Sequence, residues 1–215
     1  MKGFLRELQT QRWDDHRFYH HSRINQSLHF VSAAGFLVAY AMIFTSPAVA
    51  AIIGWGISMV TRQSGHFFFE PRDYDEVNKV THEYKEAVKV GYNLKRKVVL
   101  MAIWIVAPFI LLADPTAFGV FRPAENLTQQ MEHVGLIWLA VGIGGLLFRT
   151  VHLFFIRGVQ TGLVWMTKIL TDPFNDLWLY RGAPLKLLRG ELIDPMHELE
   201  AAASPAGPRA GSSGW

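Results

Sequence analysis

Four long blocks of this chain carry almost no charge, and they restrict its fold more than any other feature. They cover residues 28–44, 48–60, 98–113 and 134–156. A helix needs about 20 apolar residues to cross a bilayer. The second block is short by itself, but it reaches that length by running on through residues 61–66 into Phe67, Phe68 and Phe69, with Arg62 snorkelling to the interface. Pro108 in the third block is a tolerated kink. Only Arg149 and His152 interrupt the fourth. The expected fold class is therefore all-α: an integral membrane bundle of about four transmembrane helices, near 28–44, 48–69, 98–113 and 134–156, with cytoplasmic or interfacial helices attached. A single transmembrane domain is expected over residues 1–200.

The distribution of charge orients the bundle. Charged residues make up 18% of the chain, against about 25% in an ordinary soluble domain. Five lysines and arginines precede residue 28, none lies in the turn at 45–47, and eight lie between Arg62 and Lys97. One, Arg122, lies in the loop at 114–133, and six follow from Arg157 onward. The positive-inside rule places the rich segments, and both termini, in the cytoplasm. The net charge of +3 belongs to this pattern and gives no reason to expect nucleic acid. There are no cysteines, so disulfides, thiolate nucleophiles and Cys-ligated zinc are excluded. The polar first 25 residues hold no apolar core of a secretory signal.

Two polar segments are expected to be structured. Residues 73–97 read as one charged helix, with Val77, Val80, Tyr84, Val88 and Tyr92 at helical spacing. Residues 158–192 mix aromatic and basic side chains in the manner of a helix lying on the membrane surface or a short fifth span. The Ala/Pro/Gly/Ser-rich stretch 201–215 reads as a disordered tail. That tail, with no retention signal, favours a bacterial inner membrane over the endoplasmic reticulum.

The polar residues at the span ends need a reason to be there. His21, Asn25 and His29 are spaced by four, so on a continuous helix they form one stripe. His66 and Glu70 repeat that spacing at the end of the second span. The short turn between these spans makes them antiparallel neighbours, bringing His29 and His66 to one edge. His152 reaches the same level from the fourth span, and His82 sits on the cytoplasmic helix beneath. The expected metal ligands are thus His21, His29, His66, His82 and His152, a set suited to iron, zinc or manganese. His16 and His20 fall off the stripe and read as ordinary polar anchors, while His133 and His197 lie elsewhere. Arg149, a charge within a span, is expected to hold a substrate carboxylate or to pair with an acid.

One family carries a similar pattern. The string Tyr19-His20-His21-x3-Asn25-x3-His29, then Gly54-Trp55, then Gly65-His66-x3-Glu70, resembles the 2-hydroxy-fatty-acid dioxygenases, small membrane proteins of fungi with bacterial relatives. The resemblance spans residues 18–71. Pro71-Arg72-Asp73 stands where that family has Pro-Ala, and the last hundred residues lie outside the likeness. It implies an iron(II)-dependent, oxygen-consuming α-oxidation that shortens a 2-hydroxy acid by one carbon. Carried over by motif, His21, His29 and His66 would form the metal site with Asn25 and Glu70.

The expected function is accordingly a membrane-bound oxygenase dependent on iron(II) or another divalent metal. It would act on a lipid-like or 2-hydroxy fatty acid entering from the bilayer, with Arg149, Glu70 and Asn25 as catalytic candidates. Two alternatives stand beside it. A membrane-embedded cyclase, lyase or isomerase on an isoprenoid-like substrate would use the Trp and Phe residues and the Asp172-Pro-Phe-Asn-Asp176 stretch. A non-enzymatic membrane scaffold would use its histidines as interface residues.

Overall fold

The computed structural model describes residues 2–75 and 78–195, and within them the fold is helical, with two isolated β-bridges and no strand. Helix α1 (Lys2–Tyr19) ends ahead of the first apolar block, and three residues separate it from α2 (Arg23–Met42), which carries most of that block. Ser22 provides the extended N-cap between them. A turn at Thr45 and Ser46 leads into α3, which covers 47–68 with Pro47 in its first turn and a π-helical stretch at Gly54–Met59. A π-turn inserts an extra residue per turn and resets which side chains face inward beyond it. Within it Ser58 is buried, and after it Gln63 and His66 are.

The expected single helix over 73–97 is not what forms. Residues 71–81 are largely irregular, with a lone bridge between Asp75 and Val80. The helix there, α4, covers only His82–Val88. Its start is fixed by Thr81, whose hydroxyl accepts from Tyr84 N at 3.2 Å. Asn93 then caps a new helix by accepting from Arg96 N at 3.0 Å. Two strong N-caps divide what apolar spacing alone would join. Val77, part of that expected stripe, lies outside the described residues.

The new helix, α5 (Leu94–Ala113), passes through a 3₁₀ turn at Ala107–Phe109 around Pro108. Helix α6 (Leu127–Ile156) follows, then α7 (Val159–Tyr180) and α8 (Ala183–Leu188). The 158–192 segment is thus two helices, and α7 packs along α1, α2 and α6, with Lys168, Asp172 and Asp176 turned inward. Residues 196–215 lie outside the described part, so neither the tail expected at 201–215 nor His197 is placed.

Two helices, α5 and α6, are long and apolar enough to cross a membrane, where the sequence led us to expect four. The other two expected spans do form helices, α2 and α3, but polar side chains dilute their hydropathy. Those side chains face inward: Arg23, Asn25, Gln26, His29 and Ser32 on α2, and Ser58, Gln63 and His66 on α3 are buried. Tryptophans tie α3, α5 and α6 together. Trp55 Nε1 donates to the Trp138 carbonyl at 2.7 Å and Trp138 Nε1 to the Trp104 carbonyl at 3.0 Å. The Trp55 and Trp104 rings stack 5.6 Å apart.

Candidate metal centre

The site begins where α1 stops. Residues 20–22 leave the helix, and the carbonyls there are held by two side chains from the first turn of α2. Asn25 Nδ2 donates to the Tyr19 carbonyl and Gln26 Nε2 to the His20 carbonyl, each at 2.8 Å. From below, Arg23 pairs with Asp194 at 2.6 Å, and Asp194 N donates to the His21 carbonyl at 2.8 Å. The clamp turns His20 inward against α2 and α3.

Helix α3 comes very close to α2 at this level. A Cβ on Gly65 would collide with the Asn25 side-chain oxygen and would lie 3.4 Å from His29 Cδ2. The absent side chain is what lets the two helices approach, and the next residue, His66, therefore meets His29. Ring centroids of His20 and His29 are 4.1 Å apart, those of His29 and His66 5.0 Å, and those of His20 and His66 5.5 Å. All three residues are buried, and each offers a ligand nitrogen within 4.8 Å of the others. They could hold a metal ion.

The hydrogen bonds around the rings favour that use. His66 Nδ1 lies 2.8 Å from Glu70 Oε2. A carboxylate only accepts, so Nδ1 carries the proton and Nε2 keeps its lone pair. His20 Nδ1 lies 2.8 Å from the Tyr180 hydroxyl, which also lies 3.1 Å from His16 Nδ1. With His20 donating, the phenol donates its O–H to His16 in a hydrogen bond, and His20 Nε2 is left as a bare acceptor. His29 Nδ1 faces Asp176 Oδ2 at 3.6 Å. Among the described residues, His20 Nε2 and both nitrogens of His29 have no hydrogen-bond partner although buried. Buried imidazole nitrogens left bare cost about 1–3 kcal/mol each. A metal held by nitrogens whose ring partners are oriented by carboxylate or hydroxyl is the usual remedy.

Electrostatics point the same way. Burial drives the His20 imidazole well below its ordinary range and brings His16 to about 4, so both are neutral near pH 7. Burial also raises the Tyr180 phenol well above its ordinary value, keeping its proton in place. Neutral imidazole is the form that ligates a metal.

Of the residues singled out from sequence, the structure brings His29, His66, Asn25 and Glu70 together at this site. His21 is not among them. Its place on a stripe with Asn25 and His29 required one unbroken helix, and the break after Tyr19 removes that geometry. Its Nε2 meets the Arg17 carbonyl instead and lies 3.5 Å from Asp75. His20, read from sequence as an anchor, takes the position. Ser22, a favoured N-cap residue, was the signal for the break. His82 sits at the start of α4 with an unpartnered buried Nδ1, outside the group. His152 is also outside, bonded to Arg149 at 3.0 Å.

Arg149 is buried, and its guanidinium donates to the Val90 and Gly91 carbonyls at 2.5 and 3.0 Å. It fastens the α4–α5 loop to α6, and among the described residues its Nε has no hydrogen-bond partner. Asp172 and Asp176 are likewise engaged. Asp172 pairs with Lys168 at 2.6 Å and Arg12 at 3.3 Å, and Asp176 pairs with Arg62 at 3.0 Å. Carboxylates already neutralised by three cations are poor magnesium ligands, so Asp172 and Asp176 lend no support to diphosphate chemistry.

His66 also lines a cavity of about 380 Å³ between α1, α2, α3, α5, α6 and α7. Phe36, Trp55, Leu100 and Trp138 form apolar walls, and Arg62 and Lys89, whose partners Asp176 and Glu70 flank His29 and His66, also line it. The chain matches no family model, no curated protein and no solved structure.

Proposed function

We propose that this chain is a membrane-embedded oxygenase whose metal, iron(II), is held by His20, His29 and His66. Its substrate would be a 2-hydroxy fatty acid or a similar lipid-like acid, shortened by α-oxidation. The observation that carries the reading is the buried triad, whose rings converge while Tyr180 and Glu70 hold the far nitrogens of His20 and His66. The likeness of residues 18–71 to the 2-hydroxy-fatty-acid dioxygenases supplies the reaction class, with His20 in the position first given to His21.

Iron(II) at three neutral imidazoles would supply sites for oxygen and for chelation of a 2-hydroxy acid. The protein's own residues do the rest. Glu70 and Tyr180 orient two of the ligands. Asn25 and Gln26 hold the backbone that presents His20. The apolar cavity beside His66 takes the acyl chain and excludes water, placing the acid end at the metal.

We further propose that α2 and α3 lie in the bilayer with α5 and α6, with both termini cytoplasmic, in a bacterial inner membrane. The exposed apolar surface of α5 and α6 supports this. Only 11% and 17% of their most apolar windows are buried, whereas a core helix of a soluble protein would be mostly covered. The five–zero–eight–one–six distribution of basic residues supports the orientation.

Metal analysis of detergent-purified protein prepared without oxygen tests the proposal. Wild type should carry about one iron per chain and consume oxygen with 2-hydroxy fatty acids, as a single three-histidine site implies. His66→Ala should lose both while remaining folded. Full metal and full turnover in that variant would return the histidines to a structural role. Turnover without oxygen would favour the lyase class, and absence of metal and turnover in wild type would favour the scaffold.

A further inference from the structure

Four cationic side chains line the cavity: Arg62, Lys89, Lys97 and Lys168. Three are matched. Arg62 pairs with Asp176 at 3.0 Å, Lys89 with Glu70 at 3.0 Å and Glu86 at 3.4 Å, and Lys168 with Asp15 and Asp172 at 2.5 and 2.6 Å. The acids that line the cavity are taken too, Asp15 by Lys168 and Asp14 by Arg17 at 2.7 Å. Lys97 is different. It is 8% exposed, and among the described residues its ammonium makes no hydrogen bond or ion pair.

The residue is buried while its Nζ keeps access to the cavity, with Glu70 and Asp15 near but not bonded to it, and a charge retained in such a place usually faces a ligand or a polar path. What surrounds Lys97 says what the ligand is. One turn further along α5, Leu100 lines the same cavity, and beyond it the walls are Trp55, Trp138 and Phe36. The cation therefore stands at the polar end, on the side of His66, and an apolar slot leads away from it.

We infer that Lys97 anchors the anionic head of a single-chain amphiphile whose tail lies along Leu100, Trp55 and Trp138, and that it makes the cavity select acids over neutral lipids of equal length. This deepens the substrate reading above and rests on it only in taking the cavity as the substrate's place. It also assigns to Lys97 the role that a sequence reading gives to Arg149, which bonds the Val90 and Gly91 carbonyls and does not line the cavity. Lys97 is a positioning and selecting residue, since it would hold the head group while the histidines hold the metal.

Bromine quenches tryptophan fluorescence at short range, so the probes are 9,10-dibromostearic acid and the matching dibromostearyl alcohol. They are titrated into the full chain in a non-ionic detergent, with metal content measured on each sample. Wild type should prefer the acid by about tenfold or more, in line with a desolvated charge pair. Lys97→Met keeps the side-chain volume and removes the unpaired charge, so it should fold at least as well, bind the alcohol as before and lose the preference. Lys97→Arg should keep most of it, and Lys95→Met, which removes an exposed cation of the same helix that does not line the cavity, should keep it in full. An unchanged preference in Lys97→Met, or equal binding of the two probes by wild type, overturns the inference. Should Lys97→Met not fold, Lys97→Gln is read by the same ratio. Wild type lacking metal but selecting acids through Lys97 would sink the oxygenase reading alone. Wild type holding metal with no selection would sink only the anchor.

Discussion

Gly65→Ala should be destabilising, although alanine is by far the better helix former. In an open helix the change gains about 0.5–1 kcal/mol. Here the new methyl would overlap the Asn25 side-chain oxygen and stand 3.2 Å from Asn25 Cγ and 3.4 Å from His29 Cδ2. Asn25 is fully buried and tied to the Tyr19 carbonyl at 2.8 Å, so it cannot swing away without orphaning that carbonyl. Either the bond breaks, at about 1–3 kcal/mol, or α2 and α3 part, at about 1–3 kcal/mol for overpacking. Taking the middle of each range, the net loss is about 1 kcal/mol, or roughly 2–4 °C in the melting temperature of a chain this size. Parting the helices also separates His29 from His66, so metal affinity should fall. Gly144→Ala is the control: nothing lies within 4 Å of its new methyl, and stability should hold or rise. Thermal unfolding in detergent with metal analysis reads both effects. If Gly65→Ala melts at or above wild type with full metal, the close approach of α2 and α3 is not what builds the site.

Glu70→Gln replaces the acceptor 2.8 Å from His66 Nδ1 with a weaker one and should lower metal affinity about 10–100-fold, read by competition with a chelator. Arg149→Ala should lower the melting temperature, because it strips the Val90 and Gly91 carbonyls of their donor, yet leave metal stoichiometry unchanged. A loss of metal there would bring Arg149 back to the site. His16 should make stability depend on pH. Its folded value of about 4 lies below the unfolded 6.5. The unfolded state therefore binds the extra proton first, and stability falls from pH 6.5 to 4 by about 1.4 kcal/mol per pH unit, then levels off. Melting curves across pH 7–4 should be flatter for His16→Gln than for wild type.

How much of this was legible in the sequence depended on which force placed each residue. Helix-forming blocks were visible because apolar runs write them directly, and α2, α3, α5 and α6 fall close to the four charge-poor stretches. The meeting of His29 with His66 was also accessible, since a short turn fixes two helices as antiparallel neighbours. What spacing could not supply was a break in a helix. His20 and His21 are adjacent, and which of them points inward depends on where α1 stops. That in turn rests on Asn25 and Gln26 reaching back to the carbonyls of Tyr19 and His20. The partners Tyr180 and Asp176 come from α7, more than a hundred residues away in sequence, and no local pattern announces such contacts. Arg149 misled for a related reason. A buried charge demands a partner, but backbone carbonyls meet that demand as well as a substrate does.

The shortfall in hydropathy of α2 and α3 follows from the site itself. On α2 the inward positions are Arg23, Asn25, Gln26, His29 and Ser32, while Val31 and Val38 are turned outward and exposed. On α3, Ser58, Gln63 and His66 are inward, and Val49, Ile57 and Val60 are outward. These two helices thus carry polar groups inside and apolar groups outside, the reverse of a helix in a water-soluble core. Helices α5 and α6 have little to bury and remain apolar almost throughout. A helix that contributes ligands must lose mean hydropathy for each one, whereas a helix that only shields the site need lose none. Inward polar groups in a bilayer also require one another, as the Asn25 and Gln26 clamps and the His66–Glu70 pair illustrate. The helices that carry the candidate ligands thus fall short in mean hydropathy, while their exposed apolar residues lie on the opposite face.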